Sequence, residues 1–116
     1  MSVVMYGIKH CDTIKKAKKW LEANGVEFTF HDYRQDGLSN PLLDTLENSL
    51  GWEAMINKRG TTWRKLDEDI KSSIDKESAM ALMLDNPAII KRPILNTGKT
   101  LEIGFSVDNY QHIFSV

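Results

Sequence analysis

The first thirty residues combine a strand pattern, a helix pattern and a second strand pattern, and this unit constrains the fold most. Residues 3–6 form a short apolar run typical of a buried strand. Residues 26–31 alternate apolar and polar side chains, as in a strand with one solvated face. Between them, three apolar residues recur at helical spacing: Ile14, Ala17 and Leu21. Strand, helix and strand within this length predict two parallel strands joined by a right-handed crossover.

The middle of the chain, about residues 38–86, is predicted to be a helical segment inserted after this unit. Asn40 is the predicted cap of its first helix, with Pro41 as the first helical residue. A further helix is indicated by four residues at helical spacing that we expect to pack in a core: Trp63, Leu66, Ile70 and Ile74. A last helix near residues 76–84 is expected to end at Asn86-Pro87.

The end of the chain returns to strands. Ile94-Leu95 and residues 101–105 flank a turn sequence at residues 96–99, which predicts a hairpin, and Ser106 is the predicted cap of a final helix. The order βαβ, helical insertion, ββα predicts an α/β fold of the thioredoxin-like class, in which one mixed four-stranded sheet carries the helices. We expect residues 1–116 to form a single domain with one inserted helical segment.

Cys11 is the only cysteine, and it stands between the first strand and the first helix. The free N–H groups and the dipole at a helix N-terminus favour an anion, so we expect the pKa of this thiol to be lowered. The N–H groups of Asp12 and Thr13 are the predicted donors to the thiolate. A buried, inert cysteine is the alternative interpretation.

Two arginines are candidates for binding an anionic ligand. Arg92 directly precedes Pro93, which opens the third strand, where a thioredoxin-like fold keeps a cis-proline beside its thiol. The fold therefore predicts that Arg92 lies near Cys11. Arg59 lies in a loop of the inserted segment. A guanidinium suits carboxylates and oxyanions, although solvated surface arginines are the alternative for both.

Several classes of function are disfavoured by composition and spacing. A net charge of −1 argues against general nucleic-acid binding, and no apolar run approaches the roughly 18 residues of a membrane helix. The N-terminus lacks the pattern of a signal peptide. A single cysteine allows no internal disulfide and fits the cytoplasm. No bound metal or cofactor is expected, because the three histidines are not at metal-ligand spacing and glycine-rich nucleotide motifs are absent.

Three stretches of the chain resemble the arsenate-reductase-like family, which comprises ArsC with Spx as a regulatory branch, and its YffB-type members above all. They are YGIKHCDTIKKAKKWLEANGVEF, GTTWRKL and AIIKRPIL. The resemblance covers nearly the whole chain and implies a thioredoxin-like fold with a helical insertion. In the family's arsenate reductases, the cysteine that matches Cys11 attacks the arsenic of arsenate. Glutathione then forms an adduct with the arsenic, and glutaredoxin resolves the disulfide.

The resemblance also implies which residues would bind the ligand. Three arginines hold the oxyanion in the arsenate enzymes; Arg59 and Arg92 match two of them, whereas Gly104-Phe105 stands where the third is expected. The loop before the cysteine differs as well, since Gly7-Ile8-Lys9 replaces a histidine and an asparagine-proline pair. Both differences disfavour arsenate and leave a thiol with two arginines that could bind the carboxylates of glutathione.

The resulting expectation is a cytoplasmic, glutathione-dependent thiol or disulfide reductase with Cys11 as nucleophile. Its co-substrate would be glutathione, with glutaredoxin as a candidate partner and no direct contact with nucleic acid or membrane. The alternative is an Spx-like adaptor that binds the RNA polymerase α-subunit through a glycine matching Gly51, a residue that a helix C-cap also explains. Arsenate reduction ranks third.

Overall fold

The computed structural model describes residues 2–116. Its elements, in chain order, are β1 Val4–Gly7, α1 Asp12–Ala23, β2 Thr29–Asp32, α2 Asn40–Leu50, α3 Trp52–Met55, α4 Thr61–Arg64, α5 Glu68–Ser72, α6 Lys76–Asp85, β3 Ile94–Asn96, β4 Leu101–Ile103 and α7 Val107–Phe114. A 3-10 turn, Pro87–Ile89, follows α6. Two structural units are distinguished: the first comprises the chain up to Asp36 together with Arg92–Val116, and the second is Gly37–Lys91.

The first unit is built on one mixed four-stranded sheet with the strand order β2-β1-β3-β4. β1 runs parallel to β2 and antiparallel to β3, and β4 pairs antiparallel with β3. This is the predicted βαβ plus ββα arrangement, so the α/β, thioredoxin-like fold class is confirmed. The second strand was predicted over residues 26–31 but spans only Thr29–Asp32; Val26 and Phe28 pack against the core outside the strand.

Helix α1 closes one face of the sheet. Its three apolar residues at helical spacing are fully buried and join Met5, Leu95 and Tyr110 in the core: Ile14, Ala17 and Leu21. Aromatic rings extend this core towards α7, since Phe105 meets Tyr110 edge-on at 4.7 Å between ring centroids. The burial of these side chains fixes α1, and therefore the residue that precedes it, against the end of β1.

The second unit contains α2 to α6, and the predicted cap of its first helix is wrong. Ser39, rather than Asn40, caps α2, because its Oγ accepts a hydrogen bond from the N–H of Leu42 at 3.2 Å. Asn40 is already helical. Gly51 ends α2 with φ of 84°, a conformation that favours glycine, which agrees with its interpretation as a C-cap.

The predicted continuous helix over residues 63–74 is divided into α4 and α5. Asp67 adopts an extended backbone conformation between them, and Ser73 ends α5 before Ile74. Trp63 is buried, Leu66 and Ile74 are half-buried, and Ile70 is 40% exposed, so the expected core stripe is only partly correct. The last predicted helix of this region is confirmed as α6. Its N-terminus is stabilised by a reciprocal capping box between Asp75 and Ser78.

Within residues 2–116, no helix is both long and apolar enough to cross a lipid bilayer. That the two units together make one domain remains a prediction of the sequence.

Gly7 allows α1 to approach β1 closely. A Cβ atom at this position would collide with Cδ1 of Ile14 and lie 3.2 Å from its Cγ1. We predict that Gly7→Ala lowers the free energy of unfolding by about 1–3 kcal/mol through overpacking. Ile14→Val removes Cδ1 and with it the collision. The double variant should therefore lose less free energy of unfolding than the sum of the losses in the two single variants. Denaturant unfolding of the four proteins measures this coupling, and strict additivity would contradict the packing argument.

Candidate thiol active site

Cys11 lies at the end of the short loop that joins β1 to α1, where it is the N-cap residue of the helix. Its backbone is extended, with φ of −132° and ψ of 129°, and its carbonyl accepts the first helical hydrogen bond from the N–H of Lys15 at 3.0 Å. The side chain is part-buried and packs against the core under α1. The thiol therefore sits where the unpaired N–H groups of a helix begin.

The electrostatic surroundings of Cys11 favour its thiolate. Burial raises the pKa of this thiol, but the N–H of Ile14, the side chain and charge of Arg92, and the N–H of Thr13 lower it, in that order of size. The opposing contributions outweigh burial, so the pKa of Cys11 lies below the ordinary value of a thiol. Of the two predicted donors, the N–H of Thr13 is among the causes of the lowered pKa and that of Asp12 is not; the larger contribution of the N–H of Ile14 was not predicted.

Arg92 and Pro93 reach the thiol from the start of β3. The Arg92–Pro93 peptide bond is cis, as the fold suggested, and Pro93 is buried, with its carbonyl accepting a hydrogen bond from the N–H of Gly104 at 2.8 Å. Arg92 is half-buried, and its guanidinium interacts with Cys11. The structure thus brings together Cys11 and Arg92, two of the predicted site residues, through contacts inside the first unit.

Arg59 belongs to the second unit. It lies on the exposed turn after Asn57, whose Oδ1 accepts a hydrogen bond from the N–H of Arg59 at 3.1 Å. The structure does not assign Arg59 to the group formed by Cys11 and Arg92, and its ligand-binding role stays a prediction.

Asp32, at the end of β2, is a site residue that the sequence analysis did not find. Its side chain is only 3% exposed, and one carboxylate oxygen, Oδ2, accepts a hydrogen bond at 2.9 Å from the N–H of Lys9, two residues before the cysteine. Burial raises the pKa of this carboxyl, but the hydrogen bonds from the N–H groups of Arg34, Lys9 and Gln35 together lower it by more, so the net pKa is lowered. An aspartate at a strand end carries no local pattern that predicts this contact.

Tyr33, which follows Asp32, is a second residue near the site that the sequence analysis did not find. Its ring is 2% exposed and stacks on Tyr6 at 6.3 Å between centroids, and within residues 2–116 its hydroxyl has no hydrogen-bond partner. Burial and the neighbouring Tyr6 raise the pKa of the phenol, while Arg92 lowers it by less, so the hydroxyl stays protonated.

Within residues 2–116, no three His, Cys, Asp or Glu side chains are grouped so that they could hold a metal ion.

Comparison with known proteins identifies the family. The family model described as "ArsC family" matches residues 6–113, which is most of the chain and includes both Cys11 and Arg92. The chain belongs to the ArsC family. Within that family it is an arsenate-reductase-like protein, and the resemblance found in the sequence is confirmed.

Two solved structures and one curated relative illustrate the similarity. A YffB protein is 44% identical, with a TM-score of 0.88 over 95% of this chain and 96% of the other. An arsenate reductase (ArsC) related protein from Brucella melitensis is 46% identical, with a TM-score of 0.84 over 100% of this chain and 97% of the other. The global transcriptional regulator Spx of Staphylococcus haemolyticus is 28% identical over 91% of this chain and 82% of its own length.

The position where the ArsC resemblance places a third arginine is structural in this chain. Gly104 has φ of 83°, and the ring of Phe105 packs edge-on against the buried Tyr110. An apolar ring at this point supplies no donor for an oxyanion. Among the described residues of the first unit, the groups that this site offers to a ligand therefore include the Cys11 thiol, whose pKa is lowered, and the neighbouring guanidinium of Arg92.

We predict that Arg92→Met raises the pKa of Cys11 and slows its alkylation at neutral pH, because the variant loses both the charge and the hydrogen bond that favour the thiolate. Arg92→Lys keeps the charge but loses the planar guanidinium. The pKa of Cys11 in this variant should therefore lie between its values in the unaltered protein and in Arg92→Met. The measurement is the rate of iodoacetamide alkylation between pH 5 and 10. Lys15→Met, which removes a positive charge from an exposed position of α1, is the matched control and should leave the profile unchanged.

Proposed function

We propose that this ArsC-family protein is a glutathione-dependent thiol/disulfide reductase with Cys11 as its single nucleophile. The observation that carries the proposal is the part-buried thiol at the N-terminus of α1, whose pKa is lowered by helix N–H groups and by Arg92. The thiolate is the species that attacks a disulfide, and a lowered pKa increases the fraction of thiolate at neutral pH. The cytoplasm is the compartment that we propose, since it keeps such a thiol reduced.

The proposed cycle needs one protein thiol and one small thiol. The Cys11 thiolate attacks the glutathione sulfur of a mixed disulfide, so a bond forms between Cys11 and glutathione while the substrate leaves as a thiolate. A second glutathione thiolate then attacks the glutathione sulfur of the protein adduct, which releases glutathione disulfide and restores the Cys11 thiolate. Each turn of this cycle consumes one mixed disulfide and one free glutathione thiolate, and it yields the substrate thiolate and one glutathione disulfide. Glutaredoxin is the alternative resolving partner.

The proposed ligand contacts follow from charge and from the position of β3. Glutathione carries two carboxylates, and Arg92, which already interacts with the Cys11 sulfur, is placed to bind an anion beside it. The backbone at Pro93 would align an extended thiol ligand, and the N–H groups of Ile14 and Thr13 favour the thiolate that attacks it. Arg59 is the proposed second arginine.

Arsenate reduction is disfavoured by the same site. Arsenate carries charge on several oxygens and needs donors around it, whereas the packing of Phe105 on Tyr110 places an apolar ring where the family resemblance expects a third arginine. A carboxylate needs only one bidentate partner. The charge that the first unit offers is therefore better matched to a tripeptide thiol than to a free oxyanion.

We predict that Cys11→Ser reduces turnover of a glutathione mixed disulfide to the uncatalysed background, because the chain has no other thiol. Hydroxyethyl disulfide with glutathione is a suitable substrate, and oxidation of NADPH by added glutathione reductase reports the rate. Arsenate in place of the disulfide forms the comparison arm. Full activity of Cys11→Ser, or turnover of arsenate alone by the unaltered protein, would contradict the proposal.

A second candidate function is an Spx-like adaptor for the RNA polymerase α-subunit. It is favoured by the 28% identity to an Spx regulator over 91% of the chain. The residue proposed to carry this role, Gly51, also has a structural reason to be glycine, namely its φ of 84° at the end of α2. Any test by substitution must separate these two roles.

The pair Gly51→Ala and Gly51→Arg separates them. An added Cβ meets no atom within 4 Å, so both variants carry the same backbone strain of roughly 1–2 kcal/mol, and only arginine adds bulk. We predict that the purified carboxyl-terminal domain of the polymerase α-subunit binds none of the three proteins in calorimetry. Binding to the unaltered protein and to Gly51→Ala, but not to Gly51→Arg, would instead support the adaptor.

A further inference from the structure

We propose that Asp32 is the positioning residue of the thiol site: its buried carboxylate holds the loop before Cys11 in the arrangement that favours the thiolate. The inference rests on the proposed role of Cys11 as a reactive thiolate. It adds to that site a residue that lies 21 positions after Cys11 in the sequence, at the end of β2. Asp32 does not contact the sulfur and acts through the backbone.

The carboxylate joins two segments of the chain. Its Oδ2 accepts a hydrogen bond from the N–H of Lys9 at 2.9 Å, and its Oδ1 accepts from the N–H groups of Arg34 at 2.7 Å and Gln35 at 3.3 Å. Because the two oxygens belong to one planar group, the position of Lys9 is fixed relative to the turn after β2. Cys11 follows two residues later.

Other contacts of the described residues hold the start of this loop. The carbonyl of Gly7 accepts a backbone hydrogen bond from the N–H of Tyr33 at 2.9 Å, and the side chain of Ile8 is buried. Lys9 and His10, which follow, are exposed. Between Ile8 and Cys11, the hydrogen bond from the N–H of Lys9 to Asp32 therefore holds the path of the chain, and together with the burial of α1 it sets the position of the cysteine.

The chemistry of the contact explains why an aspartate is suited to this position. A buried carboxylate needs hydrogen bonds to remain charged, and three backbone N–H groups supply them. The charge of Arg34 also favours ionisation. The other charged group at this turn is Asp36, whose Oδ2 accepts a hydrogen bond from the N–H of Asp32 at 2.9 Å. Charge-assisted hydrogen bonds of this kind are about twice as strong as neutral ones.

Positioning and direct electrostatics predict opposite results for the thiol. If Asp32 acted on Cys11 mainly through its negative charge, removing the charge would lower the pKa of the thiol. If it acts by positioning, removing its acceptors lets the loop move, and the sulfur loses alignment with the N–H groups of Ile14 and Thr13 and with Arg92. The pKa of Cys11 would then rise.

The experiment measures the pH profile of Cys11 alkylation by iodoacetamide in Asp32→Ala, Asp32→Asn and, as the matched control, Asp36→Asn. The control removes the same charge from the same turn and leaves the acceptor of Lys9 in place. We expect both Asp32 variants to raise the apparent pKa and to slow alkylation at pH 7 several-fold, because asparagine can accept at only one of the two oxygen positions. Asp36→Asn should match the unaltered protein.

A lowered or unchanged pKa in the Asp32 variants, or an equal rise in Asp36→Asn, would overturn the inference. If the variants do not fold, a titration of the unaltered protein by NMR decides: the amide proton of Lys9 must follow the Asp32 carboxyl carbon, and an amide that does not titrate with it overturns the proposal. The proposed function is tested separately on the unaltered protein. It fails if the pKa of Cys11 is not lowered or if the protein does not turn over the disulfide.

Discussion

The thiol site depends on the hydrogen bonding of β1 to both of its neighbours. Because β2 is parallel to β1, the two strands end at the same edge of the sheet, and Gly7 is paired with Asp32 there. Because β3 is antiparallel to β1, it begins at that edge, with Tyr6 opposite Ile94. The sheet therefore delivers the loop of Cys11, the carboxylate of Asp32 and the Arg92-Pro93 pair to one place without any direct help from loop sequence.

Whether Cys11 is a thiol or a thiolate depends on two opposing effects at this edge of the sheet. Packing Cys11 against the core favours the neutral thiol, since an ion loses solvation there, whereas the open N-terminus of α1 and the guanidinium of Arg92 favour the thiolate. The backbone and the arginine prevail only while the cysteine remains close to both. A movement of the β1–α1 loop that separated Cys11 from either of them would therefore raise the pKa of the thiol.

The sequence predicted what is local or topological and failed where tertiary contacts decide. Helical spacing identified α1, and the strand order placed Arg92 near Cys11 before any contact was known. The path of the chain at Asp67 was missed, because a regular apolar stripe continues across it although the backbone there is extended. The contact of Asp32 with Lys9 joins residues 23 positions apart and leaves no periodic signal. Likewise, nothing in a pattern distinguishes Ser39 from Asn40 as a cap.

The packing of Phe105 links the ligand chemistry of this chain to its folding. The ring lies against Tyr110, which is completely buried, and belongs to the side chains that complete the core beneath α1 and α7. An arginine at this position would remove an aromatic contact worth about 0.5–1.5 kcal/mol beyond its buried area. A lineage that moved between thiol and oxyanion substrates would thus have to repack this corner of the core in the same steps, so specificity and foldability constrain each other in its evolution.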